Sequence, residues 1–296
     1  TRPEVDRVVP SPRVRAAPED SPAPGYISEV DGSVQWNISM IGADKVWDEF
    51  NVQGEGIVVG QSDSGVDGNH PAIAKQYRGV NSGDDYNWFD PWDATTSPND
   101  EGGHGTHTMG TILGSGGIGV APKAQWIGCV NLDRNLANPA LYLDCMQFML
   151  APFPLGGDPL FDGDPTQAVH VMNNSWGCPS IEGCDPNALL YAADNLRDAG
   201  IFVVVSAGND GPSCETVESP LSLYDSVFSV GAIDQFGDMA DFSSRGPVTA
   251  DGSGRNKPDI VAPGVNILSS LPEGTYGSNS GTSMAGPHMV GVVALI

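Results

Sequence analysis

The chain has 296 residues and a net charge of −24, because 37 Asp and Glu residues outnumber 13 Lys and Arg residues. A surface this acidic repels nucleic acid and anionic membranes, so we expect neither as a partner, and no apolar stretch is long enough to span a bilayer. The 40% hydrophobic content, with 38 glycines and 24 prolines, is typical of a globular, loop-rich protein with one large core.

The first 33 residues carry repeated prolines and charges without periodicity, which indicates an extended arm or a processing remnant. Folded structure is expected from about Val34, beginning with a short helix over residues 41–50. We therefore predict a single domain over residues 34–296. The chain stops inside its last predicted helix, so we expect this domain to continue beyond residue 296.

A short apolar run at residues 56–60 predicts a strand that is buried on both faces of a parallel sheet. The run leads to Asp63, at the carboxyl end of the strand, where open α/β sheets build their sites. An isolated aspartate in such a turn more often bonds its own backbone than takes part in chemistry. Asp63 is therefore a candidate only if catalytic partners occur elsewhere.

Residues 84–100 form an insertion-like stretch rich in Asp, Asn, Trp and Pro. Its carboxylates could hold a cation, but their spacing matches no EF-hand, and we predict a solvated loop. For the chain as a whole, a high-salt habitat and calcium-binding loops explain the acid excess equally well.

Two of the five histidines, His104 and His107, lie near the start of a predicted helix that follows two glycines. A spacing of one helical turn would suit a metal site, but a third ligand and the glutamate of an HExxH motif are missing. We predict one catalytic and one structural histidine. Residues 114–119 match GxGxxG but follow a helix, so they lack the strand–turn–helix context of a dinucleotide site.

Further apolar runs predict strands that alternate with helices along the rest of the chain. The predicted strands are 125–130, 169–174, 201–205, 227–232 and 260–264, and the predicted helices are 139–150 and 186–199. This order indicates an α/β fold with a doubly wound, mostly parallel sheet and helices on both faces. The last apolar run predicts a buried helix with Ser283 at its positive N-terminal end and Pro287 in its first turn. There Ser283 suits either an N-cap or a nucleophile.

The five cysteines are too few for a disulfide scaffold, and no CxxC pair suggests a zinc site. Cys178 and Cys184 bracket a short loop, which favours a local bridge, with Cys214 as a rival partner. Cys129 falls in an apolar strand and Cys145 in a helical pattern, so we predict that each is a buried small apolar residue.

Four segments together resemble the signature blocks of the subtilisin-like serine proteases, and the resemblance covers about residues 34–296. They are Asp63-Ser64-Gly65, His104-Gly105-Thr106-His107, Ser206-Ala207-Gly208-Asn209 and Gly281-Thr282-Ser283-Met284-Ala285. The order Asp, His, Ser is the one known for subtilisin. Segments 87–90, 171–177 and 283–288 look closest to the bacillopeptidase F branch of the family.

The resemblance implies a role for each residue of the site. Ser283 attacks the scissile carbonyl, His104 is the general base and Asp63 orients the imidazole, while Asn209 donates its amide to the oxyanion. His107 and His288 become packing or capping residues. The implied protein is a secreted, extracellular, monomeric endopeptidase that acts on proteins or peptides through an acyl-enzyme and is inhibited by its own propeptide. Its chemistry needs no cofactor, and the family allows a structural calcium ion, although the loop at 115–119 is too short for one common site.

The resemblance also assigns the substrate-binding segments. Ser175, Trp176 and Gly177 pair with the substrate backbone as an added strand. Ser206, Ala207 and Gly208 line the cleft, and Glu218 occupies the pocket floor where broad-specificity relatives have a small residue. We hypothesise an acidic pocket that favours Arg or Lys before the cut; the alternative is that Glu218 points to solvent.

Three other functions fit the sequence less well. An α/β-hydrolase esterase needs a GxSxG elbow followed by its acid and histidine, whereas here both partners precede a GTSMA segment. An inactive homologue used for binding would typically have lost a member of the triad, and none is lost here. A cation-binding surface protein would have no use for Ser283.

Overall fold

The computed structural model describes residues 26–133, 137–178 and 182–296. Of the predicted N-terminal arm, residues 1–25 lie outside this part, and Ile27 within it pairs with Tyr276 through two backbone hydrogen bonds. The division into an arm and a domain therefore remains a prediction. Within the described residues no helix is both long and apolar enough to cross a bilayer.

The strands of the described residues are β1 Val58–Asp63, β2 Trp88–Phe89, β3 Gln125–Val130, β4 Val171–Asn174, β5 Phe202–Ser206, β6 Phe228–Ile233, β7 Ile260–Pro263, β8 Ile267–Leu271 and β9 Thr275–Asn279. The first seven form a central parallel sheet in the order β2-β3-β1-β4-β5-β6-β7. Strands β8 and β9 form an antiparallel hairpin. The helices are α1 Trp36–Met40, α2 Ala43–Phe50, α3 His104–Leu113, α4 Pro139–Leu150, α5 Leu190–Asp198 and α6 Thr282–Leu295. The predicted fold class is confirmed.

Helices cover both faces of the sheet because successive side chains of a buried strand point to opposite sides. In β5, Val203 and Val205 pack with α4 and α5, whereas Val204 packs with α3 and α6. The buried part of β5 is therefore apolar on both faces, as its sequence predicts. Since all seven strands run parallel, the carboxyl ends of β1, β4 and β5 meet at one edge of the sheet.

The stretch 84–100 is not a solvated loop, which corrects the prediction. Trp88 is 1% exposed and packs in the core, and β2 pairs with β3 at the edge of the sheet. Asp90 and Asp100 are also buried: the backbone N–H of Thr95 donates to the Asp90 carboxylate, and those of Gly103 and Thr106 donate to the Asp100 carboxylate. The hairpin β8–β9 was not predicted either.

Two disulfides are present, one predicted and one not. Cys178 and Cys184 form the expected local bridge, and Cys214 is exposed and free. Cys129 and Cys145 are buried as predicted, but they are bonded to each other. The bridge links β3 to α4, whose facing residues meet in the same core cluster. Strand and helix patterns alone do not reveal such a contact between two elements.

Candidate active site

The carboxylate of Asp63 and the imidazole of His104 form the centre of the candidate site. Asp63 is the last residue of β1 and is fully buried, whereas His104 opens α3 with its side chain 30% exposed. His104 Nδ1 lies 2.7 Å from Asp63 Oδ1. Because a carboxylate only accepts, Nδ1 carries the proton and Nε2 is the basic nitrogen of the ring. This arrangement can provide an oriented general base.

Asp100 fixes the start of the helix that carries His104. Its Oδ1 accepts from Gly102 N at 3.0 Å and Gly103 N at 2.8 Å, and its Oδ2 accepts from Thr106 N at 2.8 Å. Ser64 Oγ joins this cluster by donating to Asp100 Oδ1 at 2.9 Å. A buried carboxylate is favoured there because it satisfies the free N–H groups at the positive end of α3. Asp100 was not among the predicted site residues, and the sequence carries no cap signal for it because the residue immediately before the helix is Gly103.

Ser283 lies in the first turn of α6, immediately after Thr282. The N–H of a residue in this position has no acceptor within the helix and is free to donate to a ligand. The Ser283 hydroxyl donates to the carbonyl of Ser175, 3.0 Å away, just after β4. Since His104 bonds Asp63 at the end of β1 and Ser283 bonds Ser175 just after the neighbouring β4, α3 and α6 begin at the same edge of the sheet.

The side chain of Asn209 is held so that its amide nitrogen faces this edge. Its Oδ1 accepts from both the backbone N and the hydroxyl of Thr282, each at 2.9 Å. A Cβ placed on Gly281 would lie 3.6 Å from Asn209 Nδ2 and 3.7 Å from Ser283 N. Asn209 Nδ2 and Ser283 N therefore lie near the same position beside Gly281, where two such donors can stabilise an oxyanion.

Known proteins resemble this chain in both sequence and structure. A family model described as the subtilase family matches residues 54–296. The chain belongs to the subtilase family. A crystal structure of a cold-adapted subtilisin-like serine proteinase matches with a TM-score of 0.65 and 26% identity, over 83% of this chain and 76% of that one.

Curated relatives of this subtilase include bacillopeptidase F and subtilisin E, both from Bacillus subtilis (strain 168). Bacillopeptidase F is 38% identical in an alignment that covers 99% of this chain and 21% of that protein. Subtilisin E is 33% identical over 292 residues, which cover 96% of this chain and 65% of that protein. The resemblance to the bacillopeptidase F branch is thus confirmed, while the chain spans about a fifth of that relative's length.

The segments assigned to substrate binding in this subtilase surround the same edge. Ser175 follows β4, and Gly177 lies so close to Ser219 that a Cβ would approach its hydroxyl to 2.8 Å. The Trp176 side chain is buried, and its ring stacks on that of Tyr142 with the ring centroids 3.9 Å apart. Its Nε1 donates to the backbone of β1, so this side chain is part of the core. Any contact of Trp176 with a substrate would therefore be made by its backbone.

The other two segments predicted to bind substrate lie at the end of β5 and in the loop before β6. Ser206 ends β5, and Ala207 is buried and donates to Val230 O at 3.0 Å. Gly208 has φ 108°, a conformation that favours glycine, and its N–H donates to the Thr282 hydroxyl. Glu218 is exposed, so its carboxylate is accessible to solvent.

His107 and His288 are structural in this subtilase. His107 Nε2 lies 3.0 Å from Ile267 O and 3.2 Å from Gly277 O, which ties α3 to the hairpin and leaves no room for a metal at that nitrogen. His288 Nδ1 lies 2.9 Å from Met284 O, and its Nε2 lies 2.8 Å from Asn37 Nδ2. In the described residues, no group of three or more His, Cys, Asp or Glu side chains could hold a metal ion.

These two buried histidines should make the subtilase sensitive to acid. Burial lowers the pKa of His288 from 6.5 to about 4, and burial lowers that of His107 to about 3. Below pH 6.5 these histidines become protonated in the unfolded chain but stay neutral in the folded chain. The free energy of unfolding therefore falls as the pH falls toward the two lowered pKa values. For His288 we expect a loss of about 2 kcal/mol between pH 7 and pH 5.

Urea unfolding of a Ser283→Ala variant at both pH values, with and without His288→Gln, measures this loss without autolysis. The protein that carries both changes should show a smaller difference in unfolding free energy between pH 7 and pH 5 than the protein with Ser283→Ala alone. An identical difference in the two proteins would contradict the assignment to His288.

Proposed function

We propose that this subtilase is a serine endopeptidase whose triad is Asp63, His104 and Ser283. The observation that carries the proposal is the 2.7 Å bond from His104 Nδ1 to the buried Asp63 carboxylate, at the edge of the sheet where Ser283 lies in the first turn of α6. Membership of the subtilase family and the likeness to subtilisin E support it.

The proposed reaction follows from the charges that develop during acyl transfer. The Ser283 hydroxyl turns from Ser175 O to His104 Nε2, loses its proton to the imidazole and attacks the scissile carbonyl. The resulting oxyanion accepts hydrogen bonds from Ser283 N and Asn209 Nδ2. His104 then protonates the leaving amine, and water releases the acyl group from Ser283 by the same steps in reverse order. Asp63 stabilises the imidazolium throughout.

The substrate is proposed to be an extended protein or peptide segment. It pairs with the backbone at Ser175, Trp176 and Gly177 as an added strand, opposite Ser206, Ala207 and Gly208. The acidic surface argues against nucleic acid and anionic membranes as partners. We further propose a monomer that needs no cofactor for its chemistry and is inhibited by its own propeptide; a structural calcium ion has no support from the described residues.

Secretion to an extracellular site is the proposed location. Two disulfides support it, because such bonds form and persist in oxidising compartments. The high net negative charge also favours solubility and reduces non-specific association.

Glu218 is proposed to favour Arg or Lys before the cut. Its exposed carboxylate lies next to Ser219, which touches the substrate segment at Gly177 and Cys178. Replacing Glu218 by glutamine should lower kcat/KM for a peptide with Arg before the cut about fivefold, the value of one exposed ion pair. A matched peptide with Phe should be cleaved as before.

The exposed Glu215 provides the control for this experiment. Glu215→Gln removes the same charge three residues away and should leave the ratio of the two peptides unchanged. A peptide library in which basic residues show no gain over large apolar ones would reject the acidic pocket.

The experiment that tests the proposed function is a search for an acyl-enzyme during cleavage. A p-nitrophenyl ester should give a burst of one nitrophenol per active molecule, and an unfolded protein substrate should yield fragments cut at peptide bonds. Ester hydrolysis without any peptide-bond cleavage would instead favour an esterase on the same scaffold.

A further inference from the structure

Pro287 removes a hydrogen bond from the helix that carries the nucleophile. The sequence places it in the first turn, but in the structure it lies inside α6, four residues after Ser283. In a regular helix the N–H of residue 287 would donate to the carbonyl of residue 283. Proline has no N–H, and its ring crowds that carbonyl, so Ser283 O needs a donor from outside the helix.

The hydroxyl of Ser175 is that donor. Ser175 Oγ lies 3.0 Å from Ser283 O, and Ser283 Oγ lies 3.0 Å from Ser175 O. The two serines therefore exchange hydrogen bonds, each from its side chain to the backbone of the other. Ser175 is 3% exposed, so water does not compete for these groups.

Asn173 sets the direction of the Ser175 hydroxyl. Its Nδ2 donates to Ser175 Oγ at 3.1 Å, which directs the proton of that hydroxyl towards Ser283 O. The same Nδ2 donates to Gln61 Oε1 at 3.0 Å. Asn173 and Gln61 are register partners on β4 and β1, so their side chains lie side by side on one face of the sheet.

Gln61 extends the network to the helix that carries the base. Its Nε2 donates to Gly105 O at 3.2 Å, in the residue after His104, and also contacts Thr108 Oγ1. Gln61, Asn173 and Thr108 are fully buried, where amides are costly unless their hydrogen bonds are made. One chain of buried side chains thus joins the helices of the nucleophile and the base.

We infer that the Ser175 hydroxyl is a positioning group for Ser283, replacing the helix bond that Pro287 removes. The inference rests on the proposed function, because it takes Ser283 as the nucleophile. It separates two roles of one residue: the Ser175 backbone is available to the substrate, and its hydroxyl orients the attacking serine. Without that hydroxyl, Ser283 O and one amide proton of Asn173 lose their partner in a buried place.

The test combines Ser175→Ala with Pro287→Ala. Ser175→Ala alone should lower kcat about tenfold, the effect of one hydrogen bond, with KM within about twofold because the backbone is intact. In the Pro287→Ala background residue 287 regains its N–H and can bond Ser283 O, so the same change should lower kcat by less than about threefold. All values are expressed per active site, counted by end-point labelling with a fluorophosphonate, so unfolded molecules do not contribute.

Ser229→Ala is the matched control. Ser229 is a fully buried serine of the same sheet, and its hydroxyl donates to Asp259 at 3.1 Å, away from the site. This variant should lose stability without losing kcat per site. The inference would be overturned if Ser175→Ala lowered kcat by the same factor in the parent and in the Pro287→Ala background. It would also be overturned if Ser175→Ala left kcat unchanged in the parent. A parent protein that neither labels nor cleaves peptides would reject the proposed function itself.

Discussion

Replacing Ser283 or His104 by alanine should lower kcat for peptide hydrolysis by about 10⁶, the size of the effect known for subtilisin itself. The loss is this large because the serine and the histidine act as one unit, and neither transfers an acyl group alone. Asp63→Ala should cost less, about 10⁴, since the imidazole remains and only its orientation and charge stabilisation are lost. Steady-state kinetics on one chromogenic peptide measures all three.

Controls for the triad come from the same chain. Ser280 and His170 are exposed, and Ser280→Ala and His170→Ala should retain nearly full activity. A combined Ser283→Ala and His104→Ala variant should be no slower than either single variant, because the second loss removes a group that no longer has a partner. Additive losses would mean that the two residues act in different steps.

Replacing Asn209 by alanine should lower kcat by about 10²–10³ while KM changes little, a loss of the size known for the matching donor of subtilisin. In this structure Thr282 donates two hydrogen bonds to Asn209 Oδ1, which leaves Asn209 Nδ2 beside Gly281. In its proposed role the amide bonds the oxyanion and not the ground-state carbonyl, so we expect the loss to fall on the chemical step. The same chromogenic peptide, measured over a range of concentrations, separates kcat from KM.

Thr282→Val gives an independent check on Asn209. It removes the hydroxyl that donates to Oδ1 but leaves the backbone bond, and it should therefore cost only part of the Asn209→Ala effect. Asn195→Ala, on the exposed surface of α5, is the neutral control. If Asn209→Ala raised KM and left kcat unchanged, Asn209 would bind substrate and not the oxyanion.

Much of the fold could be predicted because buried parallel strands have a simple pattern. The predicted strand 125–130 and helix 139–150 agree with β3 and α4 at both ends. The polar residues of the site also follow a rule, since Asp63 and Ser206 lie at the carboxyl ends of apolar runs. The bounds of these strands and helices, and the polar residues at their ends, can therefore be predicted from the sequence of each element alone.

Contacts between distant segments could not be predicted in this way. Trp88 and Asp100 lie in a polar stretch, and only the packing of that stretch against β3 and the start of α3 buries them. The Cys129–Cys145 bridge likewise depends on how α4 lies on the sheet. Each of these features is decided by two elements together.

The hydroxyl of Ser175 illustrates the same limit within the site. The resemblance assigns its backbone to substrate binding, and nothing in the local sequence reveals that its side chain bonds the carbonyl of Ser283. The only sequence signal is Pro287, four residues after Ser283, which indicates that a helix hydrogen bond is missing. To see which group replaces that bond, one must know where α6 begins and that Ser175 packs against it. The apolar pattern locates the start of this helix only approximately, which is why it puts Pro287 in the first turn.

The most direct test of the triad is the site of covalent labelling by a fluorophosphonate, located by peptide mass spectrometry. We predict one label per molecule, on Ser283, formed by the parent chain and by Ser280→Ala but not by Ser283→Ala or His104→Ala. A folded parent chain that takes no label, or takes it on another residue, would contradict the triad and leave a subtilase scaffold with a different use.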